Sequence, residues 1–432
     1  MGLALSLKSK LGLGLLLSYT SFEVFMQVRT KHIISLRRQE VQKLSESTDI
    51  SKFRSATVAG MFINPFDEYR PQTAFEFILV RFMEFFESIY GNEVELHDKV
   101  PGDEEHGDVE GVLKAFTPNL EYLRKNSQIL QACAKSGEFK QLMEGGSKAI
   151  QNQLLFTWLG QSCSLVQVAG INFLTDPIMS DHLISQSIGP KRFLKSPLSY
   201  DDIKYATNDK IDYVLVSHDH PDHLELDFAK QIGNTTTWIV PLGLKLKLAR
   251  KGIYKVIEMD WWDTIPLDVA SPDKYEVVCV PAMHWSGRYV FDSNKSLWCS
   301  FIIRRNGESL VYHAGDTGYL KDLFKVLGHK YGPIQLGLLP IGQYCPSWHQ
   351  KPRHISPQES LQICADASIK FMKGIHWGTF KLSSEPILEP KYLLDKYAED
   401  KNRHKVPEFG LTYLFNLKEG TEEELHVHTN EN

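Results

Sequence analysis

The stretch Ser217–His223, with the sequence SHDHPDH, decides the fold of this chain. It directly follows a short apolar run that is typical of a buried strand, so we expect the motif on the loop where that strand ends. Imidazoles and carboxylates are the ligands that zinc, iron and manganese accept in proteins. On an extended loop His218 and His220 point the same way, while Asp222 and His223 diverge from them. The spacing therefore predicts a site that holds two metal ions side by side.

The composition is that of a soluble globular protein without a strong charge bias. The chain has 432 residues, 42% of them hydrophobic and 23% charged, and its formal net charge is -5. Because phosphate backbones require basic protein surfaces, this slight acidity argues against a nucleic-acid partner. The 6 cysteines are scattered without a C-x-x-C pair, which favours buried free thiols in a reducing compartment.

Residues 1–45 are predicted to form a targeting or membrane-anchor segment. Residues 1–22 contain no acidic side chain, and their apolar stretch is marginal in length for a spanning helix. An acid-poor, basic and apolar start is typical of a mitochondrial targeting segment, which here would remain as a membrane anchor. The start Met1–Ser6 also matches the N-myristoylation pattern M-G-x-x-x-[ST]. Attachment to a cytosolic membrane surface by lipidation is therefore the alternative.

The remaining chain is predicted to comprise a helical N-terminal extension, residues 46–150, and a catalytic domain, residues 151–432. The extension contains a stretch, 73–90, whose phenylalanines recur at helical spacing. Such a helix either packs on a core or touches a membrane, and both interpretations stay open. In the catalytic domain, short apolar strands alternate with helices, which predicts a layered α/β architecture.

The predicted elements of the catalytic domain follow this alternation. The expected strands are 154–158, 165–168, 171–175, 236–240, 276–280, 297–303, 310–313, 335–339, 371–375, 411–417 and 424–428. The expected helices are 222–231, 242–251, 320–327 and 357–367.

Three further metal-ligand candidates also follow predicted strands. His284 comes after the strand at 276–280, Asp316 after that at 310–313, and His376 after that at 371–375. Because neighbouring strand ends converge on one edge of a sheet, we expect these side chains to meet the SHDHPDH motif.

This set of residues, in this order, resembles the metallo-β-lactamase superfamily. The resemblance implies an αββα sandwich in which two zinc ions are bound. It places one zinc ion on His218, His220 and His284. It places the second on Asp222, His223 and His376, with Asp316 bridging the two.

A narrower resemblance covers nearly everything from Asn152 onward. The strings FLTDP (173–177), GPKRF (189–193), DWW (260–262), GDTGY (315–319) and IHWGTF (375–380) are similar to N-acylphosphatidylethanolamine-hydrolysing phospholipase D. With its N-terminus, the chain is most similar to fungal members of the mitochondrial inner membrane. The resemblance implies hydrolysis of N-acylphosphatidylethanolamine to N-acylethanolamine and phosphatidic acid, by attack of a metal-bridging hydroxide at phosphorus. It also implies a membrane phospholipid substrate, contact with a membrane surface, and a homodimer among the expected assemblies.

The resemblance further assigns candidate roles beside the metal ligands. Asp222 and Asp316 would serve catalysis as well as metal binding. His354 would protonate the leaving alkoxide or hold a phosphate, although it could instead be a helix-capping surface histidine. Gln186 is a candidate substrate contact. The position of Gln161 departs from the family, since animal members carry histidine there.

Supporting roles fall to residues around the motif. Asp219 or Asp176 could orient a ligand histidine from outside the metal shell, and Asp176 could instead form the turn at the end of its strand, beside Pro177. Lys191 and Arg192 could attract anionic headgroups, or could form an ordinary solvated loop pair.

Two other functions stay open on the sequence. One keeps the site and changes the substrate, as in a nuclease or lactonase of the same superfamily. The other is a metal-dead scaffold that binds lipid, which would be expected to have lost at least one of the seven ligand positions.

Overall fold

A computed structural model describes residues 6–41, 50–73, 75, 76, 78–80, 82, 83, 113–145, 149–184, 188–289 and 292–427. The chain divides into two compact units, Met1–Asn92 and Glu93–Asn432. The predicted phenylalanine-rich helix at 73–90 lies largely outside the described residues.

The first unit is built around one long helix, α1 (Leu7–Val41). Arg37 ties the end of this helix to the following segment by donating to the main-chain carbonyls of Lys52 and Ser55. That segment continues into a two-stranded antiparallel ladder of β1 (Thr57–Val58) and β2 (Met61–Phe62).

Helix α1 is apolar but not buried. Leu7, Leu11 and Leu15 are exposed, and no residue in the most apolar stretch of the helix is buried. By length and composition alone, residues 7–39 could cross a membrane.

The second unit contains two mixed sheets and the helices that cover them. The strands of the first sheet are β3 (Gln153–Gly160), β4 (Cys163–Val168), β5 (Ile171–Thr175), β6 (Tyr213–Leu215), β7 (Thr237–Pro241), β8 (Val256–Met259), β16 (Thr412–Asn416) and β17 (Thr421–Leu425). Those of the second are β9 (Thr264–Pro266), β10 (Tyr275–Val280), β11 (Ser300–Arg305), β12 (Glu308–His313), β13 (Ile334–Pro340), β14 (Ile369–Ile375) and β15 (His404–Lys405). The helices are α2 (Leu120–Ser136), α3 (Lys140–Met143), α4 (Tyr200–Ala206), α5 (Leu226–Ile232), α6 (Lys245–Ala249), α7 (Lys321–Tyr331), α8 (Ser347–Gln350), α9 (Pro357–Asp366) and α10 (Glu389–Tyr397).

Strand order brings the chain's late strands beside its early ones. The first sheet runs β17-β16-β3-β4-β5-β6-β7-β8, antiparallel up to β5 and parallel from β5 to β8. The second runs β15-β14-β13-β12-β11-β10-β9. Strands β12, β13 and β14 are parallel, and β10 points the same way because two antiparallel pairings separate it from β12. The carboxyl ends of β10, β12 and β14 therefore lie at one edge.

The sheets are buried between layers of helices. Every residue of β3, β4 and β5 is buried, so these strands are covered on both faces. On the outer face of the first sheet, Leu155, Val214 and Trp238 pack with Leu123 of α2 and Phe228 of α5 in one hydrophobic cluster. Helix α9 contacts β13 and β14 of the second sheet, and helices α7 and α10 pack against α9. The order helix, sheet, sheet, helix in the second unit confirms the predicted fold class, and the first unit supplies the N-terminal helix.

Most predicted strands are present, with shifted ends. The helix predicted at 222–231 begins only at Leu226, because the preceding residues form a turn in which His223 and Leu224 donate to the carbonyl of His220. In the second unit the prediction missed the strands β8, β9 and β15 and the helices α4, α8 and α10. Between residues 113 and 145 of the predicted helical extension, α-helix is found at Leu120–Ser136 and Lys140–Met143.

Candidate metal centre

The SHDHPDH motif occupies the loop that follows β6, as predicted. The loop is held at its start by Asp176, whose carboxylate accepts from the Ser217 N–H (2.7 Å) and the Ser217 hydroxyl (2.8 Å). It meets the second sheet at Gly315, where a Cβ would come within 2.4 Å of the Ser217 side chain. Glycine at that position, with φ of 58°, therefore allows the loop carrying Asp316 to reach the motif.

Three histidines form the first donor group: His218, His220 and His284. His220 Nδ1 lies 2.8 Å from His218 Nε2 and 3.2 Å from His284 Nε2. All three side chains are buried. Their facing nitrogens converge as the ligands of a single ion would.

The second donor group consists of Asp222, His223, Asp316 and His376. His376 Nε2 lies 3.1 Å from His223 Nε2 and 3.0 Å from Asp316 Oδ1. Asp222 Oδ2 lies 3.5 Å from His223 Nε2 and 3.4 Å from His376 Nε2.

Asp316 lies between the two groups. Its Oδ2 is 3.2 Å from His223 Nε2, 3.7 Å from His284 Nε2 and 3.9 Å from His218 Nε2. The structure therefore brings all seven sequence-predicted ligand positions together, with Asp316 where a bridging ligand would lie.

The chemistry of these donors fits divalent cations. Imidazole nitrogens together with carboxylate oxygens are donors that zinc and similar metals accept. Within each group the donor atoms lie within 4.8 Å of one another, and every residue is buried. Burying two carboxylates among five imidazoles is costly unless a cation compensates their charge.

The protonation states of four of these side chains also favour metal binding. Burial raises the pKa of Asp222 and Asp316, but the neighbouring histidines, His223 foremost, outweigh it and hold both pKa values well below the usual range. Burial lowers the pKa of His218 and His220, so both are neutral. Ionised carboxylates and neutral imidazoles are the forms that bind metal.

Two histidines behave differently. Burial lowers the pKa of His223 and His376, yet Asp316 above all raises it, to about 9 for His376 and well above normal for His223. A proton is thus favoured at the positions where a cation would bind, and metal binding would displace it.

Asp176 is the residue that orients a ligand histidine. Its Oδ2 lies 2.9 Å from His223 Nδ1, which leaves His223 Nε2 facing the second donor group. Burial would raise the pKa of Asp176, but His313 and His223 outweigh it and lower that pKa to about 2. His313 Nε2, on β12, contacts the same carboxylate oxygen at 2.9 Å. Asp176 and His223 thus form a carboxylate–histidine pair of the kind that fixes the tautomer of a metal ligand.

Asp219, the other candidate for that role, does not contact a ligand imidazole through its carboxylate. It is buried and pairs with Lys247 and with Arg288 Nε (2.6 Å). Arg288 also donates to the main-chain carbonyl of His220 at 3.0 Å. Asp219 therefore fastens the motif loop to its surroundings without orienting a ligand ring.

His354 lies inside the site. Its Nδ1 is 3.7 Å from Asp316 Oδ2, its ring centroid is 5.1 Å from that of His284, and it is 2% exposed. The surface-capping interpretation is wrong, because Ser356 caps the following helix through a capping box with Glu359. The main chain beside His354 also serves the site, since His284 Nδ1 hydrogen-bonds the Arg353 carbonyl at 2.8 Å.

Gln161 is a site residue that the sequence analysis did not assign. Its Nε2 donates to Asp222 Oδ2 (3.0 Å) and lies 2.9 Å from His376 Nε2. Its main chain is bound to the same loop, donating to Thr379 Oγ1 and accepting from the His376 N–H. The signal in the sequence was the departure at this position, where animal members of the family carry histidine; the structure places Gln161 in the tight turn between β3 and β4, with a φ of 49°.

Other predicted substrate contacts are not at this centre. Arg192 is buried and donates to the main-chain carbonyls of Leu159 and Ile178, so it is a structural residue and not a headgroup attractor. Lys191 is exposed. Gln186 lies outside the described residues.

Two cavities flank the segment that follows β14. One adjoins the second donor group, with Gln161 and His376 in its lining. The other is lined in part by Trp158, and both include Trp377 and Gly378.

With this geometry in place, the chain can be compared with known proteins. Residues 171–377 match the β-lactamase superfamily domain. The structure of Igni18, a metallo hydrolase from Ignicoccus hospitalis, is 25% identical, covers 61% of this chain and 98% of its own, and superposes with a TM-score of 0.46. The sequence match, the fold and the cluster of histidine and aspartate donors define a metal-dependent hydrolase of the metallo-β-lactamase class.

Two relatives narrow this class. The mitochondrial N-acyl-phosphatidylethanolamine-hydrolyzing phospholipase D of Saccharomyces cerevisiae is 39% identical over 425 residues, covering 93% of this chain and 87% of the relative. N-acyl-phosphatidylethanolamine-hydrolyzing phospholipase D 1 of Caenorhabditis elegans is 35% identical over 259 residues, covering 58% of this chain and 70% of the relative. The chain belongs to the N-acylphosphatidylethanolamine-hydrolysing phospholipase D family.

Proposed function

We propose that this chain hydrolyses N-acylphosphatidylethanolamine at the headgroup-side phosphodiester bond, releasing N-acylethanolamine and leaving phosphatidic acid. The observation that carries the proposal is the 39% identity to the yeast enzyme across 93% of this chain. The seven ligand positions support it, because all of them carry metal-binding side chains that lie within reach of one another.

The residues divide the work of the site between them. His218, His220 and His284 would hold one zinc ion, and Asp222, His223 and His376 a second, with Asp316 between them. When bound, such a pair of cations neutralises phosphate charge and makes a water nucleophile available at neutral pH. A hydrogen bond from His223 Nδ1–H to Asp176 would leave His223 Nε2 free to bind the metal.

His354 is placed to contact the substrate. It is buried beside Asp316, and its Nδ1 has no hydrogen-bond partner among the described residues. A phosphoryl oxygen held between the two donor groups would come within reach of this nitrogen, which could hold it or pass a proton to the departing alkoxide.

The proposal includes a membrane setting. A phospholipid substrate requires access to a membrane surface, and α1 is long and apolar enough to anchor the chain in one. The yeast relative is mitochondrial by name, which favours the mitochondrial inner membrane over a lipidated start on the cytosolic side. A homodimer stays a prediction from the resemblance.

The test is a lipid-product assay on the zinc-loaded full-length chain, with N-acylated and plain phosphatidylethanolamine as substrates. Wild type should release N-acylethanolamine, and His220→Ala should lose this activity together with bound metal. His329→Ala, an exposed histidine on α7, is the matched control. RNA or lactone cleavage without lipid turnover would favour the nuclease or lactonase. A folded protein with well under two zinc ions per chain would favour the lipid-binding scaffold.

A further inference from the structure

We propose that Gln161 is a positioning residue of the second donor group, whose side-chain amide holds the Asp222 carboxylate in the orientation that binds a metal ion. Its loss should weaken binding of the second ion and leave the first in place. The inference rests on the proposed function, because it requires the two-ion centre of that reaction. It adds to the seven ligand positions a residue that binds no metal itself.

Gln161 contacts the Asp222 oxygen that faces the other ligands. Its Nε2 donates to Asp222 Oδ2 at 3.0 Å. The same oxygen lies 3.5 Å from His223 Nε2 and 3.4 Å from His376 Nε2, so it points into the second donor group. A carboxylate oxygen offers more than one lone pair, so it can accept from the amide and still bind a cation. The amide therefore fixes the carboxylate without competing with the metal.

Gln161 supports a second ligand of the same ion. Apart from the ligand histidines, it is the one side chain within hydrogen-bonding distance of the Asp222 carboxylate in the described part of the chain. His376 Nδ1 makes no hydrogen bond among the same residues. The His376 ring is held instead through its main chain, whose N–H donates to the Gln161 carbonyl at 3.0 Å. The second donor group thus depends on Gln161 both for a carboxylate and for an imidazole.

The main chain at Gln161 makes its amide a fixed donor. Gln161 is 1% exposed and has a φ of 49° in the turn between β3 and β4. Its N–H donates to Thr379 Oγ1 at 2.7 Å, and its carbonyl also accepts from Trp158 Nε1 at 2.8 Å. Because these contacts tie the residue on both sides, the amide has little freedom to follow a displaced carboxylate. Supporting residues that are locked in this way keep metal ligands in a productive geometry.

The first donor group has supports of its own. His284 Nδ1 hydrogen-bonds the Arg353 carbonyl at 2.8 Å, and His218 Nδ1 lies 3.0 Å from Ser217 Oγ. Within the described residues, no hydrogen bond joins Gln161 to a ligand of this group. Removing the amide should therefore act on the second ion.

Chelator competition on the purified full-length chain tests this without turnover, because it measures the affinity for each zinc ion. Gln161→Met keeps the length of the side chain and removes the donor, so the second ion should bind about 10- to 100-fold more weakly. The affinity for the first ion should stay that of wild type. Gln161→His should keep both affinities, since its Nε2 lies as many bonds from Cα as that of glutamine. Gln362→Met, at an exposed glutamine of α9, is the matched control.

A further variant keeps the test valid if Gln161→Met does not fold. Gln161→Asn suits the positive φ of the turn, because asparagine adopts that region more readily than most residues. Its shorter side chain cannot place an N–H against Asp222, so it should weaken the second ion as Gln161→Met does.

The outcomes separate this inference from the proposed function. Wild-type affinity for the second ion in folded Gln161→Met, or an equal loss of both ions, would overturn the inference. A selective loss of the second ion, together with a zinc-loaded wild type that releases no N-acylethanolamine, would overturn the proposed function and leave the inference standing. If both hold, Gln161→Met should need about 10- to 100-fold more free zinc than wild type for half-maximal lipid turnover.

Discussion

At the scale of single residues, two buried aspartates beside the motif do different work. Asp176 contacts a ligand imidazole, whereas Asp219 contacts two cationic side chains. Both are completely buried, so burial alone does not separate them. The partner of each carboxylate determines whether its loss is felt first by the metal or first by the fold.

Asp176→Asn is expected to weaken metal binding by about 10- to 100-fold, because an amide cannot supply the charge that polarises His223. The fold should survive, since asparagine tolerates the φ of 36° found at this position. Chelator competition on the purified chain measures the change. Asp227→Asn, an exposed aspartate of α5, is the control, and a metal affinity equal to wild type in Asp176→Asn would contradict the assignment.

Asp219→Asn is expected to destabilise the fold by about 3 kcal/mol. This is the lower end of the cost of breaking a buried ion pair, because Lys247 keeps Asp292 at 2.7 Å. Urea unfolding at saturating zinc measures the loss. A larger fall in metal affinity than in Asp176→Asn would reverse the roles given to the two aspartates.

At the scale of elements, an ion cluster joins the two sheets. Lys373 on β14 is buried and lies 2.6 Å from Glu422 on β17, which also pairs with Lys405 on β15 at 2.9 Å. Burial lowers the pKa of Lys373 to about 7, although Glu422 opposes this shift. The carboxylate of Glu422, which hydrogen-bonds Lys373, therefore helps the lysine to keep its charge inside the sandwich.

Glu422→Gln is expected to make stability more sensitive to acid. Losing the carboxylate lowers the folded-state pKa of Lys373 further. Just below pH 7, Lys373 is therefore protonated in the unfolded chain but still neutral in the folded variant. The free energy of unfolding of the variant should thus fall, relative to wild type, as pH drops below 7, by up to about 1.4 kcal/mol per pH unit. Urea unfolding between pH 5.5 and 8 measures this, with Glu419→Gln as the control. If the variant's loss in free energy of unfolding relative to wild type is the same at every pH, Lys373 does not titrate between pH 5.5 and 8.

Elements were predictable where the sequence pattern is local. The predicted strands 165–168 and 171–175 and the apolar run before the motif correspond to β4, β5 and β6, with ends shifted by at most about two residues. Strands β8 and β9 were missed because they are short and partly exposed, so their apolar residues do not form a recognisable run. The helix expected at 222–231 started late because the geometry of the motif turn overrides helix propensity.

At the scale of the whole molecule, the sandwich and the long N-terminal helix differ in whether their apolar side chains are buried. The sandwich buries its apolar side chains, whereas α1 exposes leucines along its length. A helix of this kind is stable in contact with lipid or another apolar surface. This is the physical basis for the proposed membrane anchor.

Removing residues 1–41 is expected to release the chain from membranes. Full-length protein should stay in the membrane pellet after carbonate extraction of mitochondria, and the shortened chain should move to the supernatant with its metal still bound. Full-length protein in the supernatant would contradict the anchor.

Positions of the ligands could be predicted from the sequence, since each follows a strand and the strands converge. The residues that hold these ligands in place could not be predicted, because they lie far from the ligands in the chain. Gln161 meets Asp222 and His376 only after β3, β6 and β14 have been brought together.

The pairing of β16 with β3 has a consequence for how the protein is made. Until β16 arrives, β3 is the open edge of the first sheet. About 250 residues separate the two strands, which at 5–20 residues per second leaves that edge unpaired for roughly 13 to 50 s of synthesis. During this interval the nascent catalytic unit cannot complete the sheet that carries its histidine loop. An unfinished sheet of this kind stays available to chaperones and remains compatible with threading through a translocation pore.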